Sequence, residues 1–248
     1  HIISRGNQLG LILWTNARFL LATQSAQLLR YSYGRIGSIS MEIGPDLVEG
    51  VFIERLNRFA ALVDVKGKHE MTHVANSGRM HELFVPGCRV ILKHRPGEHR
   101  KTKYDLVFVD MGSGLASVDA RLPNALVREA LEKERMPQFA GYTQIQAEST
   151  FGESRLDFLL EGPVGRCYLE TKSVTLVVDG VALFPDAPTI RGVKHLKSLE
   201  HAVADGHRAA AVFVIQRDDA CVFSTSDHSD PAFGMALRHA LASGVEAF

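Results

Sequence analysis

The chain has 248 residues, 46% of them hydrophobic, with 28 Lys plus Arg balanced by 28 Asp plus Glu and a formal net charge of zero. That apolar fraction supports one large domain or two small ones. The charge balance excludes a polybasic nucleic-acid coat and an acidic disordered tail, but it allows a local basic face on a neutral molecule. Three scattered cysteines (Cys88, Cys167, Cys221) make neither a disulfide framework nor a CxxC zinc site, which points to a reducing cytoplasm.

The first Met is Met41. A start there makes residues 1–40 an upstream extension that is not native; the alternative is a genuine N-terminal arm, and neither reading carries a function. The apolar pieces Gly10–Trp14 and Phe19–Ala22 are interrupted by Asn16 and Arg18. They fall short of the roughly twenty apolar residues of a membrane span, and no apolar run leads into a small-residue cleavage site. No membrane partner is expected.

Residues 41–115 alternate short apolar strands with Gly, Pro and Asn turns. The strands are expected over 51–55, 59–65, 70–74, 89–93 and 105–110. Five such strands predict a small antiparallel β-barrel, with an OB-like barrel ahead of an SH3-like one. Met111-Gly112-Ser113-Gly114 softens the chain, and residues 116–248 read as a second domain. A helix-period segment spans 124–135, stopped by Pro137, and strands follow over 143–148, 155–160 and 167–178. Gly162-Pro163-Val164-Gly165 makes a hairpin between the last two. An amphipathic helix over 193–203, a buried strand over 209–215 and a last helix over 231–242 complete the order. Helix, three strands, helix, strand, helix is the pattern of an α/β domain with a mixed sheet.

The sharpest chemistry is a carboxylate pair with a lysine. Asp157 sits among apolar residues in Leu156-Asp157-Phe158, and the next strand carries Glu170-Thr171-Lys172. Side chains alternate along a strand, so Glu170 and Lys172 share a face while Thr171 points away. Pairing through the 162–165 turn sets Asp157 beside Glu170. Two carboxylates suit a hard cation such as Mg2+ or Mn2+, and a lysine beside them orients water or offsets charge on a phosphate. The bland alternative is a solvated strand face with a surface ion pair.

An acid followed by (D/E)-x-K on adjacent strands, inside helix–β–β–β–helix–β, resembles the PD-(D/E)XK nuclease core. Longer runs are more specific. Ser154-Arg155-Leu156-Asp157-Phe158, Glu170-Thr171-Lys172-Ser173-Val174-Thr175-Leu176 and Phe184-Pro185-Asp186-Ala187-Pro188-Thr189-Ile190-Arg191-Gly192-Val193-Lys194-His195-Leu196 resemble the sugar fermentation stimulation protein A (SfsA) family. Asn76-Ser77-Gly78-Arg79-Met80 and Arg55-Leu56-Asn57-Arg58-Phe59 resemble that family's Asn-x-Gly-x-Met and Arg-x-x-Arg-Phe signatures, and the likeness runs from about residue 46 to the end.

The resemblance implies an N-terminal OB-like barrel, a C-terminal PD-(D/E)XK nuclease-like domain, DNA binding and a regulatory role in sugar, notably maltose, metabolism. It also implies Asp157 and Glu170 as metal ligands and Lys172 as the catalytic lysine, with Glu129 and Glu148 as candidates for a further carboxylate. This chain departs from the family in having Thr171 where an aliphatic residue is usual. It also stops at Phe248, where the family pattern runs into another strand, so the sheet edge reads as truncated.

Residues 89–103 hold Arg89, Lys93, Arg95, Arg100, Lys101 and Lys103 against the single acid Glu98. Such a hairpin contacts phosphates without reading sequence, in a strongly salt-dependent way, or is simply a solvated hairpin. Arg55 and Arg58 extend the same surface, or pin the barrel to its neighbour. Arg191, Lys194 and His195, near a helix start, are placed to steer a DNA backbone beside the metal site, or His195 simply packs. Asp186 and Thr189 are expected as turn or N-cap residues of that helix, with the cap favoured for Asp186, while Asn76 and Gly78 are expected to form a tight turn. Three functions follow: a DNA-binding regulator without sequence preference, a Mg2+-dependent nuclease, or a non-catalytic interaction module.

Overall fold

The structure is a computed structural model that describes residues 46–248 and two short strands, Arg18–Leu20 and Arg30–Ser32, paired antiparallel. The remainder of the 1–40 segment lies outside the described residues. The first domain consists of β1 (Leu47–Asn57), β2 (Ala60–Val65), β3 (Lys68–Val74), β4 (Arg89–His94), β5 (Tyr104–Asp110) and β6 (Leu115–Ser117). β1 pairs with both β2 and β4, β2 with β3, and β4 with β5, all antiparallel. A parallel contact between β3 and β5, His73 opposite Asp105, closes the barrel. That closure corrects the all-antiparallel expectation. The barrel shuts because β5 runs alongside β3 as well as back along β4, which leaves no free edge between them. Inward alternation fills it with Phe52, Val63, Val74, Leu92, Leu106 and Val109.

The second domain opens with α1 (Leu122–Glu132) and a 3-10 turn (Pro137–Phe139). β7 (Gln144–Phe151), β8 (Ser154–Gly162) and β9 (Gly165–Val174) form an antiparallel meander. β10 (Leu176–Val178) and β11 (Val181–Phe184) precede α2 (Ile190–Ala204), and β12 (Arg208–Ile215) then lies parallel to β9. β13 (Val222–Thr225), α3 (Pro231–Ala242) and β14 (Glu246–Ala247) finish the chain. The main sheet is mixed, in the order β14-β12-β9-β8-β7. The parallel β9–β12 pair needs a crossover, and α2 supplies it. The edge expected to be cut short carries β14, which pairs with β12 at Ala210 and Ala211.

One expected strand, 167–178, is two. The chain breaks after Val174, and β10 joins a small second sheet of order β10-β11-β13. The strand-favouring run Val174-Thr175-Leu176-Val177-Val178 hid the bend, because such a run carries no mark of which sheet each half joins.

Both faces of the main sheet are covered. Leu156, Tyr168, Ala211 and Phe213 pack beneath α2 and α3 through Leu196, Leu199, Phe233 and Leu237. Phe158, Leu160, Leu169 and Val212 pack beneath α1 through Leu126 and Val127, in one cluster with Val107, Phe108 and Leu115 of the barrel. The two domains therefore share a core. Backbone joins them as well: the Ser117 N–H donates to the Gln216 carbonyl and the Ala120 N–H to that of Ala75. Among the described residues no helix is long and apolar enough to cross a membrane.

Candidate metal and nucleic-acid site

Asp157 lies where the central strands splay. The β8–β9 ladder ends at Phe158 opposite Leu169, one residue short of it. The β7–β8 ladder skips it too, passing from Leu156–Ser149 to Phe158–Ala147, because Glu148 takes a left-handed φ of 57°. With no ladder bond on either side, the Asp157 side chain makes the cross-strand link. One carboxylate oxygen accepts from the Thr171 N–H at 2.7 Å, and the other accepts from Asn124 Nδ2 of α1 at 2.8 Å.

Glu170, on the next strand, is 4% exposed and faces α2. Its Oε1 accepts from Lys172 Nζ at 2.5 Å and meets His195 Nδ1 of α2. Arg191 Nε donates to His195 Nε2 at 3.3 Å. A guanidinium has no acceptor, so Nε2 must accept, and the ring proton sits on Nδ1, aimed at Glu170. The other carboxylate oxygen, Oε2, is buried without a hydrogen-bond partner.

The two acids titrate in opposite directions. Burial, and then the charge of Glu170, push Asp157 above the usual aspartate range, against the opposing hydrogen bonds from Thr171 and Asn124. Burial also acts to raise Glu170, but the His195 hydrogen bond and Lys172 outweigh it and hold Glu170 low. Without a further cation the site thus holds one secure carboxylate and one whose charge is costly. A buried oxygen without a donor beside a destabilised carboxylate is the environment a divalent cation relieves.

Sequence reasoning grouped Asp157, Glu170 and Lys172, and the structure brings these three together. It does not bring in the two spare carboxylates. Glu129 bonds Lys133 at 2.5 Å along α1, and Glu148 turns outward toward Arg155 at 3.6 Å. Among the described residues, no group of three or more His, Cys, Asp or Glu is spaced to hold a metal. Asp157 and Glu170 are thus the two carboxylates available here, a number that a hard divalent ion retaining most of its waters can use. Asn124 was not singled out from sequence, and His195 was expected to steer a DNA backbone or to pack, not to hold Glu170. The only available signal was their place one turn inside amphipathic helices, which also describes an ordinary core position.

The basic residues divide into spent and unspent. Arg55 donates to the carbonyls of Asn57, Arg58, Asn76, Gly78 and Arg79 and lies over the Phe84 ring at 5.0 Å, so it clamps two loops together. Three arginines gather on buried Asp105: Arg100, Arg121 at 2.9 Å and Arg95 at 3.6 Å. Burial opposes the charge on Asp105, but the bonds from Arg121 and Arg100 prevail and hold its carboxyl below the usual range. Lys103 meets Glu70 at 3.4 Å, and Lys194 meets Glu153 at 3.2 Å. Lys93 is half-buried on β4. Arg58 and Lys101 have no ion-pair partner among the described residues.

Asp186 does not cap α2. Thr189 is the cap, its hydroxyl accepting from the Gly192 N–H at 3.0 Å. Asp186 instead crosses to the barrel and accepts from the Arg79 N–H at 2.9 Å. It stands three residues ahead of the cap, too far back to reach the first helical N–H groups.

Family comparison agrees with this architecture. Residues 53–118 match the SfsA N-terminal OB domain, and residues 121–248 match the sugar fermentation stimulation protein RE domain. The chain belongs to the SfsA family. Relatives named sugar fermentation stimulation protein homolog include one from Caldanaerobacter subterraneus subsp. tengcongensis, 46% identical over 84% of this chain and 91% of the relative. Another, from Desulfitobacterium hafniense, is 48% identical over 80% and 86% respectively. The solved structure of Pyrococcus furiosus SfsA in complex with Ca2+ is similar at 35% identity with a TM-score of 0.78, covering 84% of this chain and 88% of that one. The OB barrel followed by a mixed-sheet domain is thus the fold of this SfsA chain.

Proposed function

We propose that this SfsA protein binds DNA by charge and shape rather than by base sequence, and that Asp157 and Glu170 hold a divalent cation against the bound backbone. The observation that carries the cation is the donorless, buried Oε2 of Glu170 beside an Asp157 that burial and the charge of Glu170 hold above the usual aspartate range. The Ca2+ named for the Pyrococcus furiosus relative supports a divalent ion of this kind. Mg2+ or Mn2+ suits the same oxygen donors. The partly exposed Arg95, Arg100 and Arg121 around Asp105, with Arg58 and Lys101, supply the charge for phosphates. A regulatory role in sugar, notably maltose, metabolism would use this binding and is part of the same proposal.

Phosphodiester hydrolysis is the second reading, favoured by Lys172. Its ammonium is buried and held on Glu170. From there it can donate to an attacking water and offset charge growing on phosphate oxygens. His195, locked by Arg191, keeps Glu170 from rotating away, and Asn124 with the Thr171 N–H does the same for Asp157. A divalent cation, when bound, supplies Lewis-acid charge to the phosphoryl group.

The test is a gel assay of plasmid, linear duplex and single-stranded DNA with Mg2+ or Mn2+, beside Asp157→Asn. Retained DNA without cutting is expected of the binder. Metal-dependent cutting that vanishes in the variant selects hydrolysis. Failure to retain any DNA at 50 mM salt refutes both and leaves a non-catalytic interaction module.

A further inference from the structure

The barrel rim presents an aromatic side chain that no part of the fold uses. Phe59 is 52% exposed at the turn between β1 and β2, and its ring stacks on no other ring among the described residues. Its backbone, by contrast, is tightly held. The N–H donates to Asn57 Oδ1 at 2.9 Å, and the carbonyl accepts from the Val74 N–H and lies 3.1 Å from His73 Nδ1. The Arg55 guanidinium then fastens this turn to the 76–79 loop through the carbonyls of Arg58, Asn76, Gly78 and Arg79. The result is a rigid platform with an outward-facing ring.

Its exposed charge leans positive. Residues 55–61 and 71–81 contain Arg55, Arg58 and Arg79 with His73 and His81, and the acids Glu54, Glu70 and Glu82 flank these segments. Arg58 and Arg79 are exposed, and neither has an ion-pair partner among the described residues. Of the acids near this rim, Asp186 is taken up by the Arg79 backbone N–H, and Glu82 lies 4.0 Å from Arg217. Leu56 on β1 and Met71 on β3 are also exposed (44% and 40%) and add apolar surface, while the exposed Arg58 and Arg79 favour an occupant that is a polyanion with flat rings. Asp186 also ties the rim to α2, whose Arg191 and His195 lead to Glu170. The segment that begins at Asp186 thus runs from the rim to the helix that reaches Glu170.

We propose that Phe59 stacks an unpaired nucleobase while Arg58 and Arg79 hold the flanking phosphates, so that the nucleic acid engaged by this protein carries a single-stranded segment. The proposal rests on the DNA-binding reading above and narrows its substrate class. Bases in a closed duplex are stacked on each other and have no free face to offer. An unpaired base has one, and every base type has a π-face, so the platform is indifferent to sequence.

The experiment measures binding of the full chain to a fluorescein-labelled oligothymidylate and to a duplex of equal length, across a salt series. Phe59→Ala is expected to weaken oligothymidylate binding roughly ten-fold or more, with duplex binding changed less than two-fold. Its salt slope stays that of the parent, because stacking releases no counterions. Arg58→Gln and Arg79→Gln each flatten the slope by about 0.7. Phe59→Trp restores affinity, and its indole emission is quenched by oligothymidylate, beyond any change in the parent, whose sole tryptophan is Trp14. Equal loss on both nucleic acids, no loss on either, or an unquenched Phe59→Trp overturns the platform. Parent protein that binds neither probe overturns the DNA-binding reading beneath it.

Discussion

Replacing Lys172 by Met removes one cation from a buried carboxylate while keeping the length of the side chain. Lys172 Nζ lies 2.5 Å from Glu170 Oε1, and the two side chains are 10% and 5% exposed. At an effective dielectric of about 20 the attraction at that distance is about 6–7 kcal/mol. Desolvating both ions offsets much of it, so the pair itself contributes little. What the substitution exposes is the cost of a charged Glu170 with only His195 left to it. Losing one partner of a buried pair destabilises by about 3–5 kcal/mol, and the surviving His195 contact argues for the lower end. For a chain of this size about 3 kcal/mol lowers Tm by roughly 6–12 °C. The assay is urea and thermal unfolding followed by circular dichroism in EDTA. In the double variant Lys172→Met/Glu170→Gln most of the loss returns, because the orphaned charge is gone. Lys172→Met with wild-type stability, or a double variant as unstable as the single, refutes the buried pair and the geometry built on it.

Asp157→Asn acts in the opposite sense. The folded-state pKa of Asp157 is raised, so its ionised form costs stability above that pKa and the cost is relieved as pH falls through it. Asn keeps both hydrogen bonds if the Asn124 amide flips, so the variant should gain Tm in EDTA at pH 7 and lose that gain in acid. Ca2+ or Mn2+ titrated into the parent should raise Tm, and into Asp157→Asn should not; an equal rise in both removes Asp157 from the site. Asp105→Asn leaves three guanidinium groups around a neutral amide and should cost about 3–5 kcal/mol. The Asp105 pKa is depressed, so its contribution is present above about pH 4 and lost as pH falls toward the folded value; the variant's stability should be flatter over that range. Gly78→Ala would set a Cβ 2.8 Å from Asp186 Oδ2, and should cost about 1–3 kcal/mol by urea unfolding while loosening the bridge between barrel and α2.

The barrel, the second domain and the triad were legible because each rests on local spacing. Alternation marked β1 to β5 and put Glu170 and Lys172 on one face, and a short hairpin carried Asp157 back to them. The division of the basic residues was not legible. Arg95 and Arg100 read as solvent-facing charge until Asp105, buried by the β3–β5 closure, is seen beneath them. Arg55 reads as one more cation, yet its guanidinium is the fastener of two loops. Glu129 and Glu148 had suitable neighbours in sequence but better partners in space.

Residue type and period were therefore enough to say which strands form, which side chains alternate inward and which acids lie near one another, since these follow from chain geometry within a few residues. Three things required the packed molecule: that His195 from a helix 25 residues on orients Glu170, that Asp186 bridges the domains instead of capping α2, and that Glu170 Oε2 is left without a donor. Each depends on how far burial removes water from a group and on what reaches it from distant segments. Periodicity carries no information about either.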